Sequence, residues 1–196
     1  LTSFLPERVG VILGSGIGGI KSLEEQHTKL LVHPKKVSPY FIPKMISDIA
    51  PGHISINYGF KGPNYSVVSA CASSNHAIGN AFNLIKYGDA DMIITGGSEA
   101  GITPLSIAGF MNMKALTENN NYKNASKPFD LNRDGFVMGE GAGILILEKL
   151  SSAINRNAKI YAEIKGYAAS ADAYHLTKPA PAGAGAAIAM KNAISN

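Results

Sequence analysis

Cys71 is the single cysteine in 196 residues, and small side chains crowd it on both sides in Val67-Val68-Ser69-Ala70-Cys71-Ala72-Ser73-Ser74. Ahead of it, Tyr65-Ser66-Val67-Val68-Ser69-Ala70 is a short β-branched run that reads as a buried strand. Behind it, apolar residues at Ala77, Ile78, Ala81, Phe82, Leu84 and Ile85 fall at helical spacing, with Ser73 and Ser74 as candidate N-caps. The sulfur is therefore expected at a sharp strand-to-helix junction. Free backbone N–H groups and the positive end of the helix dipole favour thiolate over thiol there, which is the state a nucleophile needs. An isolated cysteine is otherwise a small buried hydrophobe. The crowding of small residues at such a turn favours the nucleophile.

Other chemistry-bearing groups compete less well. His76 lies five residues beyond Cys71, about 140° around the same helix at 3.6 residues per turn, a poor place for its base. Gly14-Ser15-Gly16-Ile17-Gly18-Gly19 follows a strand and satisfies the dinucleotide pattern G-x-G-x-x-G. That pattern needs an acid about 20 residues on, ending a second strand. The region His33-Pro34-Lys35-Lys36-Val37-Ser38-Pro39 instead carries two prolines and no acid. Close approach of backbone to another element is the better use for these glycines. Gly96-Gly97-Ser98-Glu99-Ala100 resembles a nucleophile elbow, but a close-packed turn is the expectation, because the next helix start, Thr103-Pro104, falls too late. His27 and His53 have no partner motif and read as surface or capping residues. Asp130, Arg133, Asp134 and Glu140, in glycine-dense surroundings, read as structurally paired charges.

These residues need elements to hold them. Strands are predicted at 8–13, 65–70, 91–95, 142–148 and 159–168, and helices at about 20–31, 43–50, 74–87, 104–114 and 183–195. Thr103-Pro104 is a helix start, a capping threonine with proline at the first helical position. Strand 65–70, helix 74–87 and strand 91–95 form a βαβ unit, so a parallel pair is expected. Near-continuous apolar strands imply a sheet covered by helices on both faces. Segments 117–128 and 180–185 read as loops.

The chain suits one domain with a real core, being 45% apolar and 16% charged. A single cysteine excludes an intrachain disulfide, and no Cys/His cluster has zinc spacing, so neither metal nor cofactor is expected. No run approaches the roughly 18 apolar residues of a membrane helix, and no cleavable signal is evident. The start at a core strand and the close on an uncapped amphipathic helix suggest part of a larger fold. The net charge is +4. With no nucleic-acid motif beside it, an acidic protein partner accounts for the charge better than nucleic acid, and ordinary solvated charge better still.

Together the residues resemble a family. Gly62-Pro63-Asn64-Tyr65-Ser66-Val67-Val68-Ser69-Ala70-Cys71-Ala72-Ser73-Ser74-Asn75-His76-Ala77-Ile78 is similar to the active-site signature of β-ketoacyl-(acyl-carrier-protein) synthases. Gly14–Gly19, Val37–Phe41, Tyr87–Asp91, Gly96–Glu99, Arg133–Phe136 and Asp172–His175 match further family motifs in order, in a form closer to the type II elongating enzymes. The resemblance implies an α/β, thiolase-like fold of two related halves in α-β-α-β-α layers. This chain would hold most of the N-terminal half (1–158), without its first strand and helices, and the start of the C-terminal half (159–196).

By that resemblance Cys71 accepts an acyl chain from acyl carrier protein as a thioester. Malonyl-carrier protein then loses carbon dioxide, and its carbanion attacks the thioester, extending the chain by two carbons. The Cys71 N–H is one oxyanion donor. The second donor, in a C-terminal glycine-rich loop, and two histidines, in Asn-x-His-Gly-Thr and Lys-preceded Gly-His motifs, do not occur in this sequence. His175 matches a family histidine outside that pair. Condensation by this chain alone is therefore not expected, whereas slow acylation of Cys71 is. Ile17 and Phe110 match positions shaping the acyl pocket, and Phe41 one reaching it from a partner subunit. Lys35, Lys36, Lys114 and Thr177 match the carrier-protein docking surface. The intact enzyme would be a cytoplasmic homodimer (or one in a plastid-type organelle) that neither binds nucleic acid nor inserts into membrane. The alternatives are a non-catalytic remnant or scaffold and, more remotely, a dinucleotide-binding oxidoreductase.

Overall fold

The computed structural model describes residues 4–195. Its centre is β1 (Val9–Gly14), a Val-Gly-Val-Ile-Leu-Gly run with all six residues buried. A strand that is apolar on both faces needs cover on both, and this one has it. After β1 come α1 (Ile20–Val32), α2 (Phe41–Met45), α3 (Ile49–Tyr58) and β2 (Asn64–Val67), then α4 (Ser73–Tyr87) and β3 (Met92–Glu99). The chain continues through α5 (Pro104–Asn112), β4 (Gly141–Glu148), α6 (Leu150–Asn155) and α7 (Ala184–Ser195). The sheet order is β2-β1-β3-β4.

β2 and β3 both run parallel to β1, one on each side, while β4 is antiparallel to β3. The predicted βαβ unit thus exists with a difference: its two strands are parallel but separated by β1. α4 crosses one face, where Ala77 and Ala81 pack with Ile12, Ala90 and Ile93. On the other face, Ala50 and Ile54 of α3 and nearby Phe60 cover Val11, Leu13 and Ile94. Each fully buried aliphatic side chain contributes about 1.5–3 kcal/mol. Helices do cover both faces of the central strands, as expected.

Two glycines let the layers meet. A Cβ on Gly14 would overlap the Ser73 carbonyl and the Ser74 nitrogen, so the first turn of α4 lies directly on the end of β1. A Cβ on Gly19 would overlap the Lys44 carbonyl. Both satisfy the expectation of close backbone approach. At the opposite end of the sheet, Asp91 accepts a fork from Arg8 (both bonds 3.0 Å) and a third bond from Lys149 (2.7 Å). Hydrogen bonding from Arg8 and then Lys149 holds the Asp91 carboxyl well below the usual carboxylate range.

Several boundaries depart from the sequence reading. Helix 43–50 is two helices, α2 and α3, broken at 46–48, and α3 runs on to Tyr58. The strand predicted over 65–70 ends at Val67, because Ala70 takes a positive φ of 50° and starts a turn, and the strand is half-buried at the end of the sheet order rather than buried as expected. The strand predicted over 91–95 continues to Glu99, so Gly96-Gly97-Ser98 is ladder, with Ser98 opposite Ala142, and not a turn or an elbow. Residues 159–168 join no sheet: a strand exists only where a neighbour takes its N–H and C=O groups, and none of the described strands does. The six-residue α6 is too short for periodicity to reveal. Thr103 caps α5 as predicted, accepting the Ser106 N–H at 3.3 Å. Among the described residues no helix is long and apolar enough to cross a membrane.

Candidate active site

Cys71 sits in the middle of a single 3-10 turn, Ala70–Ala72, between β2 and α4, and is exposed. The turn is held by side chains rather than by length. Ser73, buried at 3% exposure, accepts the Ser69 N–H at 2.8 Å and donates to the Ala70 carbonyl at 2.7 Å. Ser73 and Ser74 were expected as N-caps. The residue before α4 is instead Ala72, which makes no capping bond, and Ser73 works one step earlier as a staple across the turn. Ala70 carries the strain of a left-handed conformation, of order 1–3 kcal/mol, which the surrounding contacts must offset. Its effect is to lift the next residue, Cys71, clear of both strand and helix.

His76 is turned to a different task from base catalysis. Its Nδ1 lies 2.6 Å from Ser69 Oγ, and its ring meets Tyr167 edge-on at 6.5 Å. It braces the strand side of the turn, consistent with its poor placement as a base. His27 and His53 are exposed, and His175 Nδ1 accepts the Thr177 and Lys178 N–H groups within its own turn. Asp134 accepts from Thr117 and pairs with Lys127 at 3.7 Å, and Glu140 accepts the Ile102 N–H. Asp130 accepts the Asn132 N–H, and Arg133 donates to the Asp130 carbonyl. Among the described residues, only Asp134 of these four is in an ion pair; Asp130, Arg133 and Glu140 bond to backbone groups, and all four are exposed, so the expected pairing of charges holds for Asp134 alone.

The glycine-rich loop after β1 is already occupied. Glu99, the last residue of β3, accepts N–H bonds from Gly16 (2.5 Å), Ile17 (2.9 Å) and Gly18 (3.2 Å) and the Ser15 hydroxyl (3.2 Å). The donors that would cradle a dinucleotide phosphate hold a carboxylate of the chain itself. Sequence reasoning missed Glu99. The available signal was a G-x-G-x-x-G loop with no downstream acid, whose donors need an anion from elsewhere.

Along β2 and the residue that follows it lies an apolar cleft of about 620 Å³, lined by Ile17, Ile20, Leu23, Met45, Ile46 and Val68 among others; Cys71 is not in the lining. Ile17 and Val68 bring it to the loop after β1 and to the residues leading into Cys71. Tyr65, also in the lining, has its hydroxyl pKa raised by burial, partly opposed by a hydrogen bond with Asn80. Phe41 begins α2 outside that lining, and Phe110 packs edge-on to Phe136 at 5.3 Å. Of the three expected pocket residues, the fold brings only Ile17 to the cleft. Lys35 and Lys36 are exposed on a short turn after α1, and Lys114, with positive φ, follows α5. Thr177 is exposed in a separate segment.

Fold and site together define a class: an α/β chain that presents a lone cysteine on a strained strand-to-helix turn, with an apolar cleft along the strand that leads to it. Residues 2–153 match the model of the β-ketoacyl synthase N-terminal domain, and the chain belongs to that family. It is 51% identical over 191 residues to a 3-oxoacyl-[acyl-carrier-protein] synthase 2 of Staphylococcus aureus, covering 97% of this chain and 47% of the relative. A synthase of the same name from Synechocystis is 53% identical over 192 residues, covering 97% and 46%. Among solved structures, a type II ketosynthase in complex with its acyl-carrier protein, bound to the hexaketide, superposes with a TM-score of 0.95 at 34% identity, covering 99% of this chain and 50% of that one. A β-ketoacyl synthase from Burkholderia phymatum gives 0.86 at 32%, covering 96% and 46%. The fold is accordingly the thiolase-like α/β fold, and the chain spans about half the length of the curated relatives it matches.

Proposed function

We propose that this chain is the cysteine-bearing segment of a 3-oxoacyl-(acyl-carrier-protein) synthase of fatty acid elongation, with Cys71 as the acyl acceptor. The observation that carries the reading is the stapled Ser69–Ser73 turn, which exposes Cys71 three residues beyond Val68 in the lining of an apolar cleft. The Cys71 thiol gives up its proton and attacks the thioester carbonyl of an acyl-carrier protein. The new bond to Sγ forms as the carrier's thiol leaves and takes a proton, and one thioester replaces another. The Cys71 N–H stabilises the oxyanion.

Condensation with malonyl-carrier protein is the second step of the intact enzyme, and it needs the two histidine motifs that these 196 residues do not carry. The reading therefore confines this segment to acyl transfer. Lys35, Lys36 and Lys114, with Thr177, form the docking surface for an acidic carrier protein, and their exposure supports that role. Ile17 shapes the cleft, Phe110 gates the acyl pocket in the intact enzyme, and Phe41 serves the partner subunit of a cytoplasmic homodimer.

The test is to incubate the chain with acyl-carrier protein, with and without Cys71→Ala, and measure intact mass. An acyl adduct on the native chain alone is expected. Equal adducts on both, or none on either, would remove the assignment and leave a non-catalytic scaffold.

A further inference from the structure

We infer that Glu99 is a positioning residue for acyl selection, through its carboxylate grip on the loop that carries Ile17; this rests on the reading of Cys71 as acyl acceptor. Loop 15–19 is pinned at its ends by backbone bonds, from the Ser15 N–H to the Val67 carbonyl and from the Gly19 N–H to the Met45 carbonyl. Between them, the N–H groups of Gly16 and Ile17 have Glu99 as their partner, and Gly18 divides its N–H between Glu99 and Ser15 Oγ. Bonds from N–H to carboxylate are about twice as strong as neutral ones, so a single charge holds the middle of the loop.

Two neighbours connect that grip to the site. Ile17, 42% exposed, contributes its side chain to the cleft lining. A Cβ on Gly16 would lie 3.4 Å from the Ala70 carbonyl oxygen, so the loop rests on the strained residue that precedes Cys71. The lining of the cleft and the residue before Cys71 thus both meet the loop that one carboxylate at the end of β3 holds. Release of the loop frees Ile17 to swing from the cleft and lets longer chains compete better against short ones.

The experiment compares native chain, E99Q, Ile17→Ala and the double variant, each offered octanoyl- and hexadecanoyl-carrier protein. The readouts are the ratio of long to short adduct on Cys71 and amide exchange at Gly16, Ile17 and Gly18. Glutamine keeps the shape but cannot accept from both sides. E99Q is expected to speed exchange of the three amides about tenfold or more. It should also raise the long-to-short ratio at least about threefold. The double variant should match Ile17→Ala alone, because Glu99 acts through Ile17. An unchanged ratio in E99Q with the amides released, or additive effects in the double variant, would overturn the inference. Should E99Q fail to fold, Glu99→Asp keeps the charge, shortens its reach, and is read for the same ratio. A native chain that takes no acyl group while its amides stay protected defeats the acceptor reading, and acyl selection with it, yet leaves the loop grip intact.

Discussion

Met92-Ile93-Ile94 on β3 and Ile144-Leu145-Ile146 on β4 are the same kind of sequence, and the two strands pair with Ile94 opposite Ile146. Yet the first three are 0%, 0% and 9% exposed, and the second three 46%, 47% and 57%. Cover makes the difference. β3 has a strand on each side, α4 packed along one face, and Ile94 in the cluster that Ala50, Ile54 and Phe60 cover on the other, whereas β4 pairs with one strand among the described residues and meets α4 far less. Apolar β-branched content makes a strand; neighbours make it core. The turn that carries Cys71 adjoins the covered region, because α4 starts where β1 ends and the two are packed backbone to backbone at Gly14.

The contrast is tested most strongly at its buried end. Ile93→Ala should cost about 2–5 kcal/mol in denaturant unfolding. A loss under about 1 kcal/mol would mean that β3 is not the core of the folded chain. Gly14→Ala forces a methyl group into the backbone of Ser73 and Ser74, and should cost about 1–3 kcal/mol. It should also slow acylation of Cys71, since the turn is built on that contact; a stable variant with native acylation would uncouple turn from core.

A smaller, pH-dependent effect is expected at Asp91. Its folded pKa is depressed by Arg8 and Lys149, so its stabilisation is present above the ordinary carboxylate pKa of about 3.9 and fades as pH falls below it. Asp91→Asn should therefore lower stability at neutral pH and flatten the acid limb of the stability profile. Parallel profiles for the two proteins would contradict this. The smallest effect belongs to the edge strand: Leu145→Ala, half exposed, should change unfolding free energy by less than about 1 kcal/mol. A loss as large as that of Ile93→Ala would abolish the distinction between the two strands.

What could be read in advance follows the same division. β1, α1, α4, α5 and α7 were legible to within a residue or two because their patterns are local: an apolar run, a helical period, a Thr-Pro start. The strand expected over 159–168 was not, because pairing depends on a partner that no local pattern names. The role of Ser73 was also misjudged: its type suggested a cap, while the geometry uses its hydroxyl to staple Ser69 to Ala70. The exposed place of Cys71 on a strand-to-helix turn was legible from its small neighbours and its position between two periodicities. Glu99 was not, since nothing local tells a carboxylate at the end of β3 that it will reach a glycine loop more than 80 residues earlier.

The central claim is that folding makes Cys71 an acyl acceptor. The most direct measurement is acyl transfer from carrier protein to the native chain and to the urea-unfolded chain, with the adduct mapped to the Cys71 peptide and released by hydroxylamine. A hydroxylamine-labile adduct on Cys71 is expected in the native chain and little in the unfolded one. Equal labelling of both, or an adduct mapped elsewhere, would contradict it.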